Sequence, residues 1–86
     1  MENIELSFES NSSNCDKEKL IKDVSMDMEK SVRDYIKIGI LPQVGDIIGG
    51  YENKEQDSDY HSFTIVNRFL SGKTDNDWLE IVYYLD

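Results

Sequence analysis

The stretch HSFTIVNRFLSGKTDNDWLEIVYYLD, residues 61–86, decides how the chain folds. Two runs rich in β-branched and aromatic residues, His61 to Ser71 and Trp78 to Leu85, flank GKTDND, whose glycine and short polar side chains favour a reversal of direction. The spacing predicts an antiparallel hairpin. Side chains along a strand alternate between faces, and here both faces are apolar. Phe63, Ile65 and Phe69 fall on one side, Val66 and Leu70 on the other; in the second run Leu79, Ile81, Tyr83 and Leu85 oppose Trp78, Val82 and Tyr84. Such a sheet needs cover on both sides. One helix covers a single face, and the other is left to sheet curvature, to other segments of the chain, or to another molecule.

The helix is found upstream. From Asp16 to about Lys37 the apolar residues Leu20, Val24, Met28, Val32, Tyr35 and Ile36 recur every three or four positions, which lines one side of an α-helix. Glu18 with Lys22 and Glu29 with Arg33 are favourable pairs across one turn, acids occupy the first turn and Lys37 the last. The polar run SNSSNCD precedes it, with Ser13 or Asn14 placed to cap the first turn, and Gly39 and Pro42 end it. Ser25 and the like-charged Asp23 and Asp27 weaken the middle, so two shorter helices parted near Ser25 are the alternative. Before the helix, Ile4, Leu6 and Phe8 alternate with Asn3, Glu5, Ser7 and Glu9, the pattern of a half-buried strand. After it, LPQVGDIIGG reads as a turn, a short strand over Val44 to Ile48, and a second turn. Gly45, Gly49 and Gly50 are followed by no Lys with Ser or Thr and no helical pattern, so they serve backbone geometry and do not cradle phosphate.

With 86 residues there is room for one domain, 1–86, and little for a deep pocket. The order strand, helix, strand, strand, strand predicts a small α+β fold: a three- or four-stranded, mostly antiparallel sheet with one helix packed on it. LPQVGDII followed by a long hairpin suggests the alternative, an SH3-like small barrel with the helix appended.

Eighteen acids against nine bases give a net charge of −9, which disfavours direct binding to nucleic acid or to anionic membranes, since both need clustered Lys and Arg. The N-terminal residues show no basic stretch followed by an apolar one, no run is apolar enough to span a bilayer, and Cys15 is the one cysteine. These features predict a cytoplasmic protein. Catalysis is not expected. Cys15 at a helix start lacks a nearby base, and His61, the one histidine, lacks a motif partner. Glu55, Asp57 and Asp59 lack the glycine and distal glutamate of a calcium loop, and paired carboxylates for glycoside hydrolysis would need a cleft, so neither a metal nor a cofactor is expected.

What remains is surface. Tyr51 and Tyr60 bracket the acidic segment that carries Glu52, Glu55, Asp57 and Asp59, while Trp78 follows Asp75 and Asp77 in the hairpin turn. Aromatic anchors inside a negative rim suit a basic protein partner. The expected function is therefore a non-enzymatic acidic binding protein that docks on a nucleic-acid-binding partner and blocks it. In size and charge, over its whole length, the chain resembles small phage-encoded inhibitors, including anti-CRISPR proteins and other DNA mimics. The alternative is a structural or assembly subunit that forms a homodimer through Trp78, Val82 and Tyr84.

Overall fold

The computed structural model describes residues 3–52, 59–73 and 78–86. Five elements follow one another: β1 (Asn3–Ser10), α1 (Cys15–Lys37), β2 (Ile47–Tyr51), β3 (Tyr60–Lys73) and β4 (Trp78–Leu85). The four strands form one mixed sheet in the order β1-β4-β3-β2. β4 runs parallel to β1 and antiparallel to β3, and β3 runs antiparallel to β2. This is the predicted α+β fold with its helix on one face. It is a curled open sheet bounded by β1 and β2, where the SH3-like alternative would have closed.

Helix α1 is continuous through Ser25, whose hydroxyl donates back to the Lys22 carbonyl at 2.9 Å and so competes little with the helix. Asn14 is the cap: its side-chain oxygen accepts from the N–H groups of Asp16 and Lys17 at 3.0 and 3.2 Å. At the other end Gly39 takes φ +86°, donating to the Ile36 carbonyl, while Ile40 donates to that of Tyr35. These are the two bonds of a Schellman stop, and glycine is there because the left-handed conformation disfavours a Cβ.

The apolar stripe of α1, Ile21, Val24, Met28 and Val32, is buried against Leu6 of β1, Ile48 of β2, Phe63 and Ile65 of β3, and Ile81, Tyr83 and Leu85 of β4. The helix approaches the two outer strands most closely, so the sheet curls around it. Side chains of α1 also reach both outer strands. Arg33 donates to the Ile4 carbonyl at 2.8 Å, and Asp27 accepts the Tyr51 N–H at 2.9 Å. Both bonds occupy backbone groups on strands that would otherwise offer a template for another chain.

The short strand after the helix begins three residues later than expected. Val44 is exposed in a turn and the strand starts at Ile47, because Gly45 at φ +98° and the following Asp46 clasp Ile65 through its carbonyl and N–H, both at 2.8 Å. The carbonyl of Pro42 is held beneath the sheet, accepting from the Tyr83 hydroxyl at 2.8 Å and the Arg68 guanidinium at 2.9 Å.

A second correction concerns the long hairpin. Ile65 pairs with Leu85 but Asn67 pairs with Tyr84, so Val66 is an extra residue in β3. Such a bulge reverses the alternation of everything beyond it. Phe69 does not share a face with Phe63 and Ile65: it lies opposite Val82 on the side away from the helix, while Leu70 turns toward Ile81. No helix among the described residues is long and apolar enough to cross a membrane.

Candidate functional site: an uncovered aromatic and acidic sheet face

Pairing and alternation define the face of the sheet that α1 leaves bare. From β4 it takes Trp78, Glu80, Val82 and Tyr84; from β1, register places Glu5 beside Glu80, Ser7 beside Val82 and Glu9 beside Tyr84; from β3, Phe69 stands opposite Val82. Among the described residues no element lies over this face. Trp78, Val82 and Tyr84 are half-buried, whereas Phe69 is 54% exposed. The Phe69 and Tyr84 rings meet edge to face, with centroids 5.5 Å apart. An aromatic pair, flanked along β1 and β4 by Glu5, Glu9 and Glu80, is thus set on adjacent strands of the sheet.

The helix carries none of the net charge. Residues 15–37, the helix, hold six acids and six bases, so the whole net charge of −9 belongs to the sheet, its loops and the termini. Arg68 turns to Pro42 on the helix side of the sheet, while the backbone register puts position 73, a lysine, at the Trp78 end of the bare face.

The residues singled out from the sequence separate into groups. Tyr51 and Tyr60 are exposed cross-strand partners whose rings meet edge to face at 5.2 Å, and Glu52 and Asp59 follow them at the open end of the β2–β3 pair. The Tyr60 hydroxyl lies over Gly49, 2.8 Å from where a Cβ would stand. Trp78 is paired with Lys73 at the opposite end of β3. Twelve residues of strand lie between Tyr60 and Lys73, roughly 40 Å from end to end at the usual rise. The two aromatic groups therefore do not form one rim. Glu55, Asp57, Asp75 and Asp77 lie outside the described residues.

Sequence reasoning missed Phe69, since nothing in the alternation of β3 marks Val66 as a bulge. It also missed Glu5, Glu9 and Glu80 as a flank, because the parallel pairing of β1 with β4 is a long-range choice. Charge alternation in β1 was the available signal.

Cys15 is exposed at the first turn of α1 and, among the described residues, makes no hydrogen bond to a base. Burial pushes the Tyr83 phenol above its ordinary value; Arg68 pulls it back through charge and a hydrogen bond, and Asp46 adds to the rise. That residue faces Pro42 in the core and has a structural task. A concave region bounded by Lys22, Asp23, Met26, Asp27, Tyr51 and Glu52 measures about 410 Å³ and opens to solvent. No family model, curated protein or solved structure matches the chain.

Proposed function

We propose that the protein is a non-enzymatic binding module whose bare sheet face docks on a basic protein, in particular on a Lys- and Arg-rich surface of the kind that binds nucleic acid, and thereby blocks it. The observation that carries this reading is the coincidence, on one face, of the touching Phe69 and Tyr84 rings beside Val82 with Glu5, Glu9 and Glu80, Trp78 lying further along the same face. Tyrosine, tryptophan and phenylalanine supply large contact area at low entropic cost, and buried aromatic anchors dominate binding energy. Acids around them attract a positive partner and repel polyanions. Inhibition of the phage-encoded kind is the biological setting that this size and charge suit.

Self-association through Trp78, Val82 and Tyr84 uses the same apolar surface. It is the weaker reading, because two copies would bring faces of the same sign together, with Glu5, Glu9 and Glu80 on each.

The test is affinity capture from cells of the natural source with the wild-type chain and with Phe69→Ser/Tyr84→Ser. The expected result is a basic protein that is retained by the wild type, lost with the double variant, and released by raised salt. Retention by both chains, or sedimentation of the wild type as a dimer that the double variant dissolves, would contradict it.

A further inference from the structure

We infer that Glu52, Asp59 and His61 form a binding site for a divalent transition-metal ion, with zinc as the best-suited occupant. The β2–β3 pairing assembles it. Tyr51 stands opposite Tyr60, and the Glu52 N–H donates to the Asp59 carbonyl at 3.1 Å, so Glu52 and Asp59 continue the ladder one step beyond. Alternation then places both carboxylates on the same side of the strands as His61. His61 is paired with Gly50, which has no side chain to contend for that space. Asp27 of α1, by holding the Tyr51 N–H, fixes the residue next to Glu52.

Three observations point to a cation. One ligand atom from each residue, an imidazole nitrogen and two carboxylate oxygens, lies within 4.8 Å of the others. His61 Nε2 is shut off from solvent and has no hydrogen-bond partner, a situation that in folded proteins calls for a water or an ion. Its distance to the Glu52 oxygen, 3.6 Å, is too long for a hydrogen bond. It is close to the roughly 3.4 Å that separates two ligand atoms held about 2.1 Å from a tetrahedral ion. Among the described residues neither Glu52 nor Asp59 has a Lys or Arg partner to neutralise it.

The donor set selects the metal. Magnesium and calcium take oxygen ligands, whereas one imidazole with two carboxylates suits zinc, with water completing the coordination. The neutral imidazole binds through Nε2, and both carboxylates bind ionised, so the site gains a dication against two negative charges.

Isothermal titration of the full chain with zinc chloride tests this. One ion per chain is expected, with His61→Ala and, independently, the exposed-carboxylate variant Glu52→Gln each weakening Kd at least about tenfold. The His61 Nε2 resonance should shift on zinc addition, and millimolar magnesium should not displace the ion. Equal zinc affinity in wild type and Glu52→Gln, an unmoved His61 resonance, or displacement by magnesium at the level of zinc itself would each overturn the site, the last by showing mere counterion attraction to an acidic surface.

Discussion

Phe69 and Tyr84 meet edge to face, 5.5 Å between ring centroids, on the side of the sheet opposite the helix. They do so because Val66 is an extra residue in β3, and without it the alternation would turn Phe69 toward the core.

A ring on the bare face, away from the core, should matter little to folding. Phe69→Ser should lower stability by about 1 kcal/mol, the scale of one aromatic pair, whereas Ile65→Ala, fully buried beside the bulge, should cost about 2 to 5 kcal/mol. Urea denaturation of the two variants checks this. A Phe69→Ser loss as large as that of Ile65→Ala would make the ring a core residue.

Glu5, Glu9 and Glu80 should act on encounter. At physiological salt the Debye length is about 8 Å, so charges at the edge of a contact accelerate association more than they slow dissociation. With a partner in hand, the triple replacement by Gln should slow association and flatten its salt dependence, with the dissociation rate little changed. Stopped-flow or surface-based kinetics at several salt concentrations would show it.

Two glycines should resist a change that usually helps strands. Alanine in a strand is ordinarily better than glycine by roughly 0.5 to 1 kcal/mol. A Cβ on Gly49 would collide with the His61 carbonyl oxygen, and one on Gly72 with that of Trp78. Gly49→Ala and Gly72→Ala should therefore each lose about 1 to 3 kcal/mol, read as a lower denaturation midpoint.

Tyr83 sets an alkaline limit. Its phenol is neutral when protonated, and burial raises its pKa above the ordinary 10.0, so the unfolded chain gives up this proton first. The contribution is complete below the unfolded value and is lost as pH climbs through the folded one. Tyr83→Phe, which also gives up the bond to Pro42, should be less stable by about 1 kcal/mol at pH 8, with the gap closing above about pH 10. Parallel stability profiles for the two chains would contradict this.

How much of this was legible beforehand depends on whether a feature is local. Asn14, the Leu20 to Ile36 stripe and Gly39 announce α1 from within a few residues of themselves, and Ile81, Tyr83 and Leu85 show the buried side of β4 by simple alternation. Val44 reads as strand from its neighbours alone, yet Ile65, twenty-one residues away in sequence, takes the hydrogen bonds of Gly45 and Asp46 and delays β2. Phe69 reads as a core residue because a bulge leaves no mark in the composition of a β-rich run. His61 looked solitary, and only the β2–β3 register brings Glu52 and Asp59 to it.

The most direct measurement of the central claim is site-specific photo-crosslinking in cells of the natural source, with benzoylphenylalanine placed at position 69 on the bare sheet face or at position 26, where Met26 is 72% exposed on the helix. One discrete adduct is expected from position 69, to a Lys- and Arg-rich protein, weakened when Glu5, Glu9 and Glu80 are replaced by Gln, and none of it from position 26. An adduct from position 26 alone, or one from position 69 that joins two copies of the chain, would contradict it.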